Sequence, residues 1–174
     1  MSQTPFLRGE HVTLHPETPA DGLFVTSLLN DPRVRAGIGH STPVVREDHE
    51  EIITDADDGE SHFLIRVDGE PVGSCSLHEG SHPWGVGEVG YAVHPDHWNE
   101  GYATDAVDCL ARYAFEERRI NKLGADVYAT NPASAQVLEK VGFQREGTRR
   151  EHAFVDGEYV DLHEYGLLAD EWRE

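Results

Sequence analysis

The chain has 174 residues, with 33 Asp and Glu against 14 Lys and Arg and a formal net charge of −19. That length suits one domain with its own core, and so acidic a balance excludes direct binding to duplex nucleic acid, whose phosphates require a basic face. No run approaches the roughly 18 apolar residues of a membrane span, and the opening MSQTPFLRGE lacks the basic start and apolar stretch of a secretion signal, so a cytoplasmic protein without membrane attachment is expected.

In chain order, HVTLHP alternates apolar Val12 and Leu14 with polar neighbours and predicts a strand. TPADGLFVTSLLNDPRV predicts a helix with Pro19 near its start, interrupted at NDP. A second, acidic helix is predicted within 45–57, carrying Ile52 and Ile53. SHFLIRVDGEPVGSCSLHEG predicts two strands around Asp68-Gly69. GVGEVGYAVHP predicts a strand stopped by Pro95, and Ala103, Ala106, Val107, Leu110, Ala114 and Phe115 then recur at helical spacing to about Arg118. KLGADVYAT predicts a short buried strand. NPASAQVLEKVGF predicts a short helix with Asn131 as cap, Pro132 at the first helical position and Gly142 past the end. The closing FQREGTRREHAFVDGEYVDLHEYGLL predicts a long hairpin turning at Asp156-Gly157. The order βααβββαβαββ describes a mixed α/β chain, with an α+β mixed sheet, in one domain over 1–174.

Cys75 and Cys109 form no C-x-x-C pair and predict no disulfide scaffold. The pairs His94/His97 and His78/His82 lie beside Pro or Gly in loops, so they are read as surface residues and no metal site is expected. Only Lys122 and Lys140 are lysines. The acidic, lysine-poor composition points to a halophile, where salt screens self-repulsion.

GVGEVG, at 85–90, matches the G-x-G-x-x-G dinucleotide fingerprint. That fingerprint works where a strand turns into a helix whose N-terminus meets a pyrophosphate. Here it follows a turn and runs on into a strand, so a nicotinamide oxidoreductase is not the favoured reading. HPDHWNEGYATDAVDCL follows, in which strand, loop, glycine and amphipathic helix point free amides and a helix dipole at one spot.

The segment Glu88–Gly147 resembles the GNAT superfamily of acyl-CoA N-acyltransferases. Its phosphate loop, usually R/Q-x-x-G-x-G/A, reads Trp98-Asn99-Glu100-Gly101-Tyr102-Ala103 here, matching at Gly101 and Ala103 and departing at Trp98. Trp followed by GYAT, together with NPASAQVLEKVGFQREG, LRGEHVTLHP, LLNDPRV and FVDGEYVDLHEYGLL, resembles the subgroup that acetylates ribosomal-protein N-terminal alanine or serine. The resemblance covers nearly the whole chain.

It implies a GNAT fold with splayed parallel strands at 88–94 and 123–129 and acetyl-CoA between them. The pyrophosphate would lie on the backbone of Asn99, Glu100, Gly101, Tyr102, Ala103 and Thr104, and the Val93 amide would polarise the thioester carbonyl. Glu88 is the first candidate base for the acceptor amine, or else a solvent-facing strand carboxylate; Glu151 and His152 are second candidates. The family's leaving-group Tyr falls at Leu138 here. Ser134 is the subgroup's alternative donor, or else only an early helix residue. Asn131 is either a cap alone or also a holder of the pantetheine or acetyl end. Arg112, Arg118 and Lys140 are candidates for contact with the CoA phosphates.

The acceptor groove is expected between the first two helices and the last hairpin, near Glu47, Asp48, Glu50, Glu51, Asp55, Asp57 and Asp58, a cluster that also reads as a solvated face. The expected function is transfer of acetyl to a protein N-terminus in a ternary complex. The alternatives are a small amine or aminoglycoside acceptor, or a non-catalytic acyl-CoA-binding module. A monomer or homodimer fits either reading.

Overall fold

A computed structural model describes residues 4–80 and 84–173; His82, of the His78/His82 pair, lies outside them. The elements in order are β1 (Leu7–Arg8), β2 (Thr13–Pro16), α1 (Gly22–Asn30), α2 (Pro32–Ile38), α3 (Arg46–Asp55), β3 (Glu60–Val67), β4 (Glu70–Glu79), β5 (Val86–Val93), α4 (Tyr102–Glu116), β6 (Lys122–Tyr128), α5 (Pro132–Val141), β7 (Gln144–Val155), β8 (Glu158–Leu168) and α6 (Ala169–Trp172). They form one eight-stranded sheet in the order β1-β2-β3-β4-β5-β6-β8-β7, the mixed α/β fold expected. Both Asp-Gly turns are present, with φ of 50° and 84° at Asp68-Gly69 and 50° and 87° at Asp156-Gly157, the paired positive values that close a two-residue hairpin.

The structure adds three elements to the expected order. β1 pairs with β2, and the turn between them is held by Asp105, whose carboxylate accepts the amides of Glu10, His11 and Val12 at 3.0, 2.7 and 2.9 Å. A strand fixed by a residue more than ninety positions away leaves no local pattern. NDP is a restart rather than a stop: the Asp31 carboxylate accepts the Arg33 amide at 2.9 Å and Pro32 opens α2. The third addition, α6, closes the chain against the end of α4, with the Trp172 indole donating to Asp108 at 3.0 Å.

GVGEVG does not turn into a helix; β5 runs through it from Val86 to Val93. Alternation along β5 sends Val89, Tyr91 and Val93 to the face covered by α4 and α5. Cys75, Leu77, Val107, Leu110, Leu123 and Leu138 fill that side and are almost wholly inaccessible. Each contributes roughly 1.5–3 kcal/mol through burial if it is Leu or Val. Glu88, Gly90 and Ala92 face the other side, in register with His78, Ser76 and Ser74 of β4. There α1, α2 and α3 form a smaller layer around Val25, Leu28, Val34 and Leu64. Among the described residues no helix is long and apolar enough to cross a membrane.

Candidate active site

The site begins where the sheet parts. β5 and β6 are its parallel pair, and they match only through Val86–Lys122, Gly87–Leu123 and Glu88–Gly124. Beyond Glu88 the two strands diverge. The amide of His94 bonds to the Val72 carbonyl at 2.8 Å, so by alternation the amides and carbonyls of Val93 and Tyr91, with the carbonyl of Val89, point the opposite way, into the gap. This row of strand donors and acceptors is what an extended, amide-bearing chain would complete.

At the mouth of the gap the loop after β5 folds back. The Trp98 indole donates to the Val93 carbonyl at 2.7 Å, which leaves the Val93 amide as the donor beside it. Trp98 therefore does a job that the usual Arg or Gln of the loop motif did not suggest: it anchors the loop to the strand end. Asn99 and Gly101 both have positive φ, 64° and 82°. At Gly101 a Cβ would meet nothing within 4 Å, so the backbone is open to a ligand on that side.

The first α4 bond runs from the Asp105 amide to the Gly101 carbonyl at 3.1 Å. The amides of Tyr102, Ala103 and Thr104 thus precede the helical ladder, at the positive end of a 15-residue helix. Asp105 would oppose an anion there, but its carboxylate is turned to the β1–β2 amides. Asn99 and Glu100 are exposed on the loop. The cradle fits a pyrophosphate.

Asn131 and Ser134 lie across the gap at the start of α5. The Asn131 Oδ1 accepts the Ser134 amide at 3.3 Å and its Nδ2 donates to the Gly37 carbonyl of α2 at 3.4 Å. Asn131 thus caps α5 and ties α2 over the gap. α2 touches both β5 and β6, and its end is set by Gly39, where a Cβ would lie 1.9 Å from the Tyr128 hydroxyl oxygen.

The Ser134 hydroxyl lies 2.7 Å from the Tyr91 hydroxyl. Burial pushes the Tyr91 phenol up to about 12, so it stays protonated across the neutral range. Leu138, by contrast, is fully buried in the core. Sequence reasoning missed Tyr91; the signal available was a Tyr among the inward positions of the strand that ends at the phosphate loop.

Glu88 does not join this group. It is exposed on the opposite face of the sheet, its Cγ 3.9 Å from where a Gly124 Cβ would stand. It shares that side with Arg149, which is paired with Glu164 at 2.7 Å and also feels Asp126 and Glu88.

Glu151 and His152 occupy an irregular stretch between Arg149 and Ala153 of β7. The Glu151 amide bonds to Asp161 at 2.9 Å, beside an open depression of about 500 Å³ lined by Arg150, Glu151 and Asp161. Of the three basic candidates, Arg118 is removed. It lies past the far end of α4, roughly 26 Å along the helix from Gly101 at 1.5 Å per residue, and is paired with Glu79 at 2.6 Å. Arg112 is nearer and bonds the Arg8 carbonyl; Lys140 is exposed at the end of α5. The acidic residues of α3 and the following turn are exposed, and two have local work: Asp48 accepts the Val45 amide and Asp57 the Gly59 amide. Among the described residues no group of three or more His, Cys, Asp or Glu is placed to hold a metal.

A family model described as an acetyltransferase (GNAT) domain matches residues 11–144. The chain is 30% identical over 173 residues to YdaF of Bacillus subtilis, a putative ribosomal N-acetyltransferase, covering 94% of each protein. It is 30% identical over 99 residues to the uncharacterized N-acetyltransferase YoaA of the same organism, and there the match spans only 56% of the relative's length. Among solved structures, the spermidine N-acetyltransferase of Vibrio cholerae in complex with CoA and spermine superposes with a TM-score of 0.88 at 22% identity, over 94% of this chain and 99% of that one. That likeness is one of fold.

Proposed function

Because the chain belongs to the GNAT family of acetyltransferases, we propose that it transfers acetyl from acetyl-CoA to a primary amine, with both bound at once. The observation that carries this reading is the parting of β5 from β6 directly above the Trp98–Thr104 cradle. In it, the pyrophosphate is held by amides from Asn99 to Thr104. The pantetheine adds to the strand edge at Val89, Tyr91 and Val93, and the Val93 amide donates to the thioester oxygen as charge develops there.

The acceptor approaches from the Glu88 face, beneath α2. Glu88 receives the ammonium proton, directly or through water, before attack. Ser134, on the other face, is the donor to the departing thiolate. Base and donor on opposite faces suit an amine entering from one side and a thiol leaving on the other.

A protein N-terminus of the ribosomal kind is the proposed acceptor, supported by the match to YdaF along almost its entire length. A polyamine is the second reading, favoured by the carboxylates Glu88, Asp126 and Glu164 along the acceptor face and by the named activity of the Vibrio cholerae protein.

The test is calorimetric titration of acetyl-CoA into wild type and Gly101→Asp, whose added charge and bulk fill the open side of the cradle. Wild type binds and the variant, still folded, loses at least a hundredfold in affinity, a change of about 2.7 kcal/mol. Thiol release over N-terminal peptides, spermidine and small amines then ranks the acceptors. Equal binding by both proteins would place the cofactor elsewhere.

A further inference from the structure

Tyr91 stands on the inner edge of the gap and reaches the first turn of α5, its hydroxyl 2.7 Å from the Ser134 Oγ and 3.1 Å from the Ser134 carbonyl oxygen. A phenol has one hydrogen to give and can also accept, so two arrangements satisfy these distances. In the first, Tyr91 donates to the Ser134 carbonyl and accepts from the Ser134 hydroxyl, which ties up the serine hydrogen. In the second, Tyr91 donates to the Ser134 Oγ, and the serine hydrogen is free to turn into the gap.

We propose that Tyr91 is the positioning residue for Ser134: by donating to its Oγ, Tyr91 frees the serine hydrogen for the leaving sulfur and strengthens it as a donor. The inference rests on the transfer reading above, in which Ser134 meets the departing thiolate. Hydrogen bonds in series polarise one another, so a donor to Oγ makes the serine O–H a better donor in turn.

Magnitudes decide how far the hydrogen moves. Burial holds the Tyr91 phenol at about 12, whereas an ordinary alkyl thiol ionises near about 8.5. Tyr91 is therefore several thousandfold weaker as an acid than the thiol, and it keeps its proton. When the adduct collapses, the C–S bond breaks and its electron pair goes to sulfur, which is held by the Ser134 hydrogen bond. The thiolate gains its proton from solvent, balancing the proton that the attacking nitrogen gives up. Neither hydroxyl is consumed, and both are ready for the next turnover.

The fold explains why the tyrosine comes from β5. Position 138 of α5 is turned fully into the core, where a hydroxyl would be buried away from the gap. Tyr91 occupies the strand position opposite the first turn of the same helix, with Val89 and Val93 at the inward positions on either side.

The experiment is a double-mutant cycle on thiol release from acetyl-CoA, using Tyr91→Phe, Ser134→Ala and the double variant with the best acceptor of the panel. Phenylalanine keeps the ring and removes only the hydroxyl. The expected result is a kcat lowered about tenfold in Tyr91→Phe, the loss of one hydrogen bond to a group that carries charge, with KM for acetyl-CoA and the melting temperature nearly unchanged. In the Ser134→Ala background the same change has no further effect, since residues that act as a unit are not additive.

Two results overturn the proposal while leaving the transfer reading intact: an unchanged kcat in Tyr91→Phe, or an equal fold-loss with and without Ser134. An unchanged kcat in Ser134→Ala overturns it as well, by removing the residue that Tyr91 is said to serve. Wild type that binds acetyl-CoA but releases no thiol with any acceptor overturns the transfer reading itself, and this role with it.

Discussion

Glu17 is a carboxyl group almost without water, its side chain 3% exposed. It accepts from the Ser74 hydroxyl of β4 and lies 3.2 Å from the Nε2 of His49 on α3, with His62 also near enough to act on its charge. Burial is the largest influence and raises its pKa above the ordinary carboxylate range; the serine and histidine pull the other way. The sign follows from linkage: the folded state holds this proton more tightly than the unfolded chain does. The stability that Glu17 contributes is complete below the unfolded pKa and is lost as pH rises through the higher folded value. Glu17→Gln cannot titrate, so the melting temperature of wild type minus that of the variant is larger at pH 5 than at pH 8. A difference that does not change with pH would refute this account of the group. Tyr91 makes a related point about chemistry: burial in its own surroundings raises the phenol further above neutral pH, so its hydroxyl remains a donor well into the alkaline range.

At the scale of elements, the most consequential tie is Asp105. Its carboxylate, one turn into α4, takes three amides of the β1–β2 turn, so the first hairpin is buckled to the helix that presents the phosphate cradle. Asp105→Ala leaves those amides to water and costs about 2 kcal/mol, a loss in line with charge-assisted hydrogen bonds. Thermal unfolding registers it as a lower midpoint, and hydrogen exchange at Glu10–Val12 accelerates before exchange in β4 or β5 does. Uniform protection across both regions would mean that the turn is held by something else.

This tie also shows what the chain's order of residues discloses. Asn131, Pro132 and Gly142 mark α5 because caps act over three or four positions, and the two Asp-Gly turns mark their hairpins for the same reason. The loop proposed to hold the pyrophosphate was legible as a glycine turn, at Gly101, leading into an amphipathic helix. The tie of Asp105 to the β1–β2 turn, the pairing of Arg118 with Glu79, and the meeting of Tyr91 with Ser134 were not, since each joins residues 39 or more positions apart. Glu88 was placed on the right strand, but only the pleat says that it faces away from Ser134.

The whole molecule carries its charge unevenly matched. Its few cations are partly spoken for: Arg33 with Asp31, Arg118 with Glu79, Lys122 with Glu146 and Arg149 with Glu164. With 14 Lys and Arg against 33 Asp and Glu, more than half of the carboxylates have no cation to match them. This supports the proposal, made from composition, that the protein works in a saline cytoplasm. On that proposal the melting temperature climbs by several degrees as KCl is raised from low salt to about 1 M, where the screening length falls to about 3 Å. A flat response would show that the surface tolerates its own repulsion without help.

The parting of β5 from β6 gives the sheet four edges in place of two. The outer pair, at β1 and β7, borders solvent, as any open sheet does. The inner pair is roofed by α2 on one side and floored by α4 and α5 on the other. No second sheet can dock onto it, and a folded partner is too thick to enter. Only a thin, linear guest can reach those amides, so the gap selects by width before any side chain selects by chemistry.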